Sequence, residues 1–414
     1  AGNGEIAIED GRMTYCAPDD PDWVLHADAL KIDPISGDAQ AWGAKLKVGN
    51  VPVLYLPWMR FPVDSRRKTG LLFPDIGSDT RGGIDITAPV YFNLAANYDL
   101  LYRPRYIQER GFLHQGKFRW LSEEAGYWEF DGGWIGDDSK YEDEFPLEDG
   151  SRWLVGTKHN GRFGDHWHTY VNYTRVSDTE YLRDLNNSNL SAQRETALQQ
   201  LARLAWINDQ WQVTLDFEQF QSIAEDIAED YRKLPQMTAR WTGDKEWMGL
   251  TPVFLSQLSH FDSDIQRVTG QRLYNEFGLT KPMNWTAGFF TPTVKYRSVN
   301  YELDRPFTDV DTSPSAGSLM ASLDGGLIFE RQTSLFGQSM TQTLEPRVYY
   351  LYSQFEEQAF QPDFDSAELT FSYGQLFRET RFSGNDRLDD ANQLSVGVTS
   401  RYFDNETGEE KLSA

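Results

Sequence analysis

The strongest constraint on the fold of this chain is an alternation of apolar and polar side chains along extended segments. In GIDITAPVYFNL one set of alternate positions is apolar, namely Ile84, Ile86, Ala88, Val90 and Phe92. The other set is mainly polar, namely Asp85, Thr87, Tyr91 and Asn93. Successive side chains of a β-strand point to opposite faces, so one face of this segment meets apolar surroundings and the other meets water. The pattern predicts an all-β fold.

The same alternation recurs along the chain. Polar and apolar residues are interleaved at Trp128, Glu129, Phe130, Asp131 and Trp134, and again at Gln212, Val213, Thr214, Leu215, Asp216, Phe217 and Glu218. Segments of roughly 10 residues are joined alternately by short turns such as RGG and by long polar loops such as DDSKYEDEFPLEDGSR. Short turns on one side and long loops on the other predict an antiparallel transmembrane β-barrel, with about 17 strands counted from Thr69.

Composition agrees with a membrane barrel. Aromatic residues make up 14% of the 414 residues, yet the mean hydropathy is −0.58. Outer-membrane barrels combine these properties because apolar residues facing lipid alternate with polar residues, and aromatic girdles lie at both interfaces. No apolar run reaches the roughly 18 residues that a transmembrane helix needs. A soluble all-β protein with large loops is the alternative.

The chain divides into three predicted parts. Residues 1–62 contain shorter and less aromatic strand patterns, such as WVLHADALKID, and so few strands bury little apolar area. This part is therefore predicted to be the end of a larger sheet. Residues 63–69 form a basic junction, and residues 70–414 form the barrel portion.

No motif for catalysis or for a cofactor is present. The chain lacks a phosphate-binding G-x-x-x-x-G-K-[ST], a G-x-S-x-G elbow, an H-E-x-x-H and a paired-cysteine zinc motif. We therefore predict no enzyme activity, no catalytic residue, no resident metal and no cofactor. A net charge of −24 argues against nucleic-acid binding.

Two weaker candidates for metal chemistry remain. His166 and His168 are spaced to contribute half of a metal site, or a base for a hydrolase, but they share the polar side with Asn172 and Thr174 and are interpreted as wetted residues. The acidic residues at 142–144 suit Ca²⁺ or Mg²⁺, and a solvated loop is the simpler interpretation.

A basic cluster precedes the first barrel strand. It consists of Arg66, Arg67 and Lys68. Such a cluster is either a charged turn or a contact for passing phosphate groups, because the guanidinium fork of arginine matches phosphate geometry. Its place at the junction keeps the second interpretation open.

Prolines interrupt the first two predicted barrel strands. Pro74 lies in the first and Pro89 in the second. Proline cannot donate to the inter-strand ladder, so each residue removes one hydrogen bond from the first hairpin. The hairpin is predicted to be held loosely, and the seam of the barrel next to it is where a wall can part. The alternative is that both prolines mark bulges near the rim.

Several stretches resemble a known family. These are PVLYLPWMRFPVDSRRKTGLLFPDIG, APVYFNLAANYDLLYRPRY, TLEPRVYYLY, FSYGQLFRETRFSGNDRLDDANQLSVGVTSR and YCAPDDPDW. Together they are similar to the LptD family of outer-membrane lipopolysaccharide-assembly proteins of Gram-negative bacteria. The stretches span nearly the whole chain.

The resemblance implies a periplasmic β-jelly-roll followed by a barrel of about 26 strands. It implies that lipopolysaccharide enters from the periplasmic LptA bridge, passes its acyl chains through the jelly-roll and leaves through a lateral gate between the first and last strands. Pro74 and Pro89 match the gate prolines of the family. Further implied partners are the LptE plug lipoprotein, membrane lipid and the outer-membrane barrel-assembly machinery.

The resemblance also leaves open points. Family members carry long-range disulfides, and Cys16 matches one of their cysteines, although its partner is absent from this chain. The chain is therefore expected to be truncated at both ends, with the docking edge for LptA in the missing N-terminal part. A rival interpretation is a passive porin complete at this length, since porins of about 16 to 18 strands exist.

Overall fold

Antiparallel strands account for nearly all regular structure in the computed structural model, which describes residues 5–14, 23–48, 51–63, 66–72, 74–79, 82–185, 196–224, 231–244, 248–265, 268–304, 311–335 and 337–414. Two short α-helices also occur there, α1 (Ser139–Glu144) and α2 (Tyr181–Leu185), with a 3-10 turn at Tyr373–Phe377. Among the described residues, no helix is long and apolar enough to span a membrane. The predicted all-β antiparallel fold class is confirmed.

The strands fall into two sheets. The N-terminal sheet contains β1 (Ile6–Met13), β2 (Trp23–Asp33), β3 (Asp38–Val48) and β4 (Val51–Pro62), hydrogen-bonded in that order. The large sheet contains β5 (Gly70–Leu71), β6 (Asp75–Asp79), β7 (Gly83–Thr87), β8 (Val90–Phe92), β9 (Tyr98–Ile107), β10 (Gly111–Ser122), β11 (Gly126–Ile135), β12 (Arg152–Phe163), β13 (Trp167–Val176), β14 (Ala197–Ile207), β15 (Trp211–Ser222), β16 (Arg232–Thr242), β17 (Thr251–Asp262), β18 (Thr269–Thr280), β19 (Met283–Trp285), β20 (Gly288–Asp304), β21 (Ser315–Leu327), β22 (Phe329–Leu335), β23 (Gln338–Ser353), β24 (Ala391–Asp404) and β25 (Glu410–Ser413).

The strand order of the large sheet is that of a closed barrel. Several neighbouring segments are one strand with a short interruption, because they continue along the same partner. These are β5 with β6, β7 with β8, β18 with β19 and β21 with β22. Each strand pairs with the next in sequence, so most of the hydrogen bonding is local hairpin pairing.

The two faces of the large sheet differ in polarity, as the alternation predicts. In β15, Phe217 is 45% exposed, whereas the neighbouring Asp216 is 4% exposed and pairs with Arg203. We call the face with exposed apolar side chains the outer face and the opposite face the inner face. In β18, Phe277 lies on the outer face and Arg272 on the inner face, 53% and 0% exposed.

The chain forms two compact units. The first comprises Ala1–Glu123, Tyr127–Thr157 and Val176–Gln193, and the second comprises Glu124–Gly126, Lys158–Arg175 and Arg194–Ala414. The second unit has an aromatic core in which Phe261 and Phe364 stack with ring centroids 4.3 Å apart. Phe364 belongs to the connection between β23 and β24, residues 354–390, which therefore folds back onto strands of its own unit.

A buried arginine holds this connection in place. Arg272 of β18 donates to Asp365 at 2.6 Å and to Asp386 at 2.7 Å. Asp386 also accepts from the hydroxyl of Tyr301 at 3.0 Å. Burial by itself raises the pKa of Asp365, but the hydrogen bonds and positive charge of Arg272, together with the charge of Lys233, outweigh it and lower the pKa to about 2. The carboxylate of Asp365 therefore stays charged and paired with Arg272 well below neutral pH.

We expect Arg272→Ala to release residues 354–390 from the strands. Removing one partner of a buried ion pair leaves uncompensated charge and costs roughly 3 to 5 kcal/mol. Limited proteolysis of the folded protein in detergent is expected to cut this connection much faster than in the wild type. Arg401→Ala is the control, because Arg401 is 42% exposed and its 3.6 Å pair with Glu345 is solvated. Equal cleavage of both variants would show that Arg272 does not hold the connection.

Candidate functional site

One face of the N-terminal sheet is apolar. Its most buried members are at most 7% exposed and form a single cluster: Leu25, Ala27, Leu30, Ala39, Ala41 and Ala44. Larger side chains border them, namely Met13, Ile32, Leu46, Leu56, Met59, Phe61 and Val63. The cluster arises because alternate residues of neighbouring strands meet across the ladder, for example Ala41 opposite both Leu30 and Met59.

Small side chains lie in the middle of this face beneath taller ones, and Ala39, Ala41 and Ala44 are only 0 to 1% exposed. Ala39, Ala41 and Ala44 line β3, and longer side chains from β2 and β4 stand on either side. A hydrocarbon chain laid on this face would contact the taller side chains, and each CH₂ group removed from water contributes about 0.8 kcal/mol. We call this surface the alanine floor.

The opposite face of the N-terminal sheet is polar and aromatic. Trp42 and Trp58 lie directly opposite each other and are 39% and 50% exposed. Charged pairs cover the rest, including Lys31 with Glu5 at 2.9 Å. The two faces of this sheet therefore differ as strongly as those of the large sheet.

The basic junction is bonded to the protein on both of its sides. Lys68 donates to Asp38 and to the carbonyl of Ser36, both at 2.5 Å. Arg66 donates to the carbonyl of Ile35 at 3.2 Å. These contacts attach the junction to the β2–β3 turn of the N-terminal sheet. Hydrogen bonds from Lys68 and Arg60 hold the pKa of Asp38 below its usual value, so the carboxylate keeps its charge to a lower pH than an ordinary aspartate does.

Arg67 faces the large sheet instead. It donates to Asp99 of β9 at 2.9 Å and to the carbonyl of Ala96. Asp99 is 2% exposed and also accepts from Arg119 at 2.8 Å and from the hydroxyl of Tyr91 at 3.0 Å. One buried carboxylate thus joins the junction to β8, β9 and β10. We call this group the lower anchor.

Both prolines lie at breaks in the first hairpin. Pro74 lies between β5 and β6, and Pro89 lies between β7 and β8. The pairing shifts by one residue there, because Leu71 is opposite Val90 while Asp75 is opposite Thr87. This shift is a β-bulge in the middle of the hairpin, since β6 and β7 pair again beyond it. Leu72 still donates to the carbonyl of Pro89 at 2.9 Å, and regular pairing begins again at Asp75 and Thr87.

The other sequence candidates occupy ordinary positions or lie outside the description. His166 lies in the turn before β13, where its Nδ1 is 3.0 Å from the carbonyl oxygen of Ile207, and His168 lies in β13 itself. Glu142 lies on α1 and accepts from the backbone of Gly150 at 3.2 Å. No cluster of three metal-ligating side chains occurs in the described part of the chain. Cys16 lies outside the described residues.

Sequence reasoning missed the acidic partners and the alanine floor. Asp38 and Asp99 are single aspartates in unremarkable surroundings, and only folding brings each to a base of the junction. The alternation of alanine in DAQAWGAKL is visible in the sequence, but alanine is common in many structures, so the alternation does not by itself predict an apolar face.

We expect Asp38→Asn to free the junction. The neutral amide loses the charge-assisted bonds to Lys68 and Arg60, and cleavage by trypsin after residues 66–68 is expected to become roughly five- to tenfold faster. Asp33→Asn is the control, because Asp33 lies in the same turn and accepts from Ile35 and Ser36 of that turn. Unchanged cleavage in Asp38→Asn would mean that other contacts hold the junction.

A family model matches much of this chain. The model for LptD, described as LPS transport system D, matches residues 150–414. A protein of Hahella chejuensis named LPS-assembly protein LptD is 38% identical over 99% of this chain and 52% of its own length. Its namesakes from Pseudomonas syringae and Chromohalobacter salexigens are 34% and 35% identical over 98% and 99% of this chain, and 47% and 54% of their own lengths. The chain spans about half the length of these curated relatives.

Solved structures of lower similarity are outer-membrane proteins. OmpT of Vibrio cholerae aligns with 81% of this chain and 96% of its own at 9% identity and a TM-score of 0.32. An anion-selective porin from Comamonas acidovorans aligns with 78% of this chain and 91% of its own at 11% identity and a TM-score of 0.29.

Proposed function

This chain belongs to the LptD family of LPS transport proteins, and we propose that it is part of an outer-membrane machine that takes lipopolysaccharide from the periplasm and inserts it into the outer leaflet. The observation that carries the proposal is that one chain contains both an apolar face in the N-terminal sheet and, in the large sheet, a strand pair that prolines interrupt. The first suits acyl chains, and the second suits a wall that opens.

The alanine floor is proposed to carry the acyl chains. Half-buried side chains such as Met59 and Leu56 supply the apolar contacts, and Ala39, Ala41 and Ala44 lie buried beneath them. The contact is non-directional, so it holds a chain by buried area while permitting it to slide. Transport requires that property, because a site that bound one fixed geometry tightly would retain its cargo.

The basic junction is proposed to meet the phosphate groups. Arg67 is 49% exposed although it is bonded to Asp99. A guanidinium group has five N–H donors, so one that is bonded through part of its fork still presents donors to a phosphate. Lys68, at 22% exposure and bonded to Asp38, and Arg66 are proposed to act mainly by attraction at a distance.

Pro74 and Pro89 are proposed to mark the lateral gate. The register shift between them interrupts the regular pairing of the two strands, and this interruption supports the proposed exit. No catalytic step is assigned to this chain, and the energy is proposed to come from an inner-membrane ATPase. The proposed partners are lipopolysaccharide, the LptE plug lipoprotein, the LptA bridge, membrane lipid and the barrel-assembly machinery, with the N-terminal sheet on the periplasmic side.

Photo-crosslinking tests the route of the lipid. A photoreactive residue at position 74 or 89 of the full-length protein in cells is expected to give an energy-dependent adduct with lipopolysaccharide. A probe at position 217, on the outer face of β15, is the control for bulk lipid contact. Adducts at 217 equal to those at 74 and 89 would contradict a specific exit at the prolines and would favour a passive pore.

Replacing both prolines tests their role in opening. Pro74→Val with Pro89→Val restores two backbone donors to the hairpin, so the wall is expected to part less readily and export of newly made lipopolysaccharide is expected to slow severalfold. Pulse-chase labelling of surface lipopolysaccharide measures this. Pro346→Val in β23 is the control for replacing a strand proline elsewhere. Export at the wild-type rate in the double variant would show that the prolines form a bulge and have no role in opening.

A further inference from the structure

A second buried ion network lies at the other end of the first hairpin. It has two parts in the first unit, which meet at α2: the pair Arg105 and Asp85, with Arg105 bonded to the Leu185 carbonyl, and an ion cluster of Arg110, Arg152, Asp138, Asp178 and Asp184. None belongs to the lower anchor, to the junction or to the alanine floor. The first of them, Arg105, directly contacts β7, whose next segment begins after Pro89.

Arg105 joins β7 to a connection that follows β13. Its Nε donates to the carboxylate of Asp85 in β7 at 2.9 Å, and its Nη1 donates to the backbone carbonyl of Leu185 at 2.5 Å. Arg105 is 6% exposed and Leu185 is 0% exposed. One guanidinium group therefore bonds a gate strand on one side and the last residue of α2 on the other.

The remaining charged residues bind the helix α2 through Asp184. Asp184 in α2 lies 3.3 Å from both Arg110 and Arg152. Arg152 also contacts Asp138 at 2.7 Å and Asp178 at 2.8 Å, and all of these charges except Asp178 are nearly fully buried. Separating any one partner from such a network leaves an uncompensated buried charge, which costs free energy, so the network resists displacement of α2.

A glycine makes room for α2 against the sheet. A Cβ atom added to Gly133 of β11 would lie 2.3 Å from the hydroxyl of Tyr181, the first residue of α2. Tyr181 is 2% exposed and cannot move aside freely. A Cβ atom added to the adjacent Gly132 would point to the opposite face of the strand and would have no heavy atom within 4 Å. The packing of α2 on β11 therefore depends on the absence of one side chain.

We infer that Arg105 of β9 is a positioning residue that couples α2 to β7, because its bond to the Leu185 carbonyl holds its guanidinium group against Asp85. We call this coupling the latch. This inference rests on the proposed lateral opening. The bulge at the prolines weakens the middle of the hairpin, and its two ends are secured by Asp99 at one end and by Arg105 at the other. The connection carrying α2 thereby controls a strand that precedes it by about a hundred residues.

The test compares two adjacent glycines. Gly133→Ala is expected to push α2 from β11, break the bond from Arg105 to the Leu185 carbonyl and raise amide hydrogen exchange in residues 75–87 at least tenfold. Gly132→Ala, which meets nothing within 4 Å, is expected to exchange like the wild type. The measurement uses the full-length protein with its plug partner in detergent and no lipopolysaccharide. Faster exchange confined to residues 177–185 in Gly133→Ala would overturn the latch.

A second variant acts from the strand side. Asp85→Asn weakens the contact with Arg105 and is expected to raise exchange of residues 75–87 in the same way. Asp216→Asn is its control, because Asp216 accepts from Arg203 of the neighbouring strand at 2.7 Å in a similar two-pronged contact. Equal exchange of residues 75–87 in Asp85→Asn and in the wild type would also overturn the latch.

These results are separable from the proposed function. Exchange reports whether α2 and β7 are coupled, and the lipopolysaccharide adduct at positions 74 and 89 reports where the lipid leaves. Coupling without an adduct would retain the latch as a property of the wall and reject the exit route. An adduct without coupling would retain the exit and reject the latch.

Discussion

The structure depends on the pairing of arginine with aspartate on the inner face of the large sheet. Strands whose outer face is apolar must direct their charges inward, and a charge withdrawn from water is costly unless an opposite charge lies next to it. Arg272, Arg152 and Arg105 meet this requirement with two or more acceptors each. The planar guanidinium fork suits such multiple contacts better than an ammonium group does.

These pairs also give the connections between strands defined positions. The connection at 354–390 and the helix α2 are both tied to strands through buried arginines. Loops of this length are usually solvated and variable. Here the ion pairs, together with stacked rings such as Phe261 on Phe364, hold them against the inner face. The inner face is thus occupied by the protein's own chain at two places.

The first hairpin is the exception to this regularity. Its strands are short and broken at Pro74 and Pro89, and its ladder contains a bulge. Polar groups at its ends replace the missing ladder bonds, with Asp99 near the junction and Asp85 near the opposite end. A segment secured at its ends and weak in its middle can be released by breaking a small number of bonds, which is the physical basis of the opening that we propose.

The sequence by itself determined the fold class, because a period of two in polarity is compatible only with extended strands, and the long and short connections fixed their hairpin order. Phe217 and Asp216 took the outer and inner faces that the alternation predicted. It also located the prolines and the basic junction, since proline and clustered charge are visible without a partner. Only the tertiary structure decided which carboxylate each base meets. Lys68 binds Asp38, Arg67 binds Asp99, and Arg105 binds both Asp85 and the carbonyl of Leu185. These partners are separated by up to 80 positions along the chain, and ion pairs have no sequence period, so strand register and loop folding alone select them.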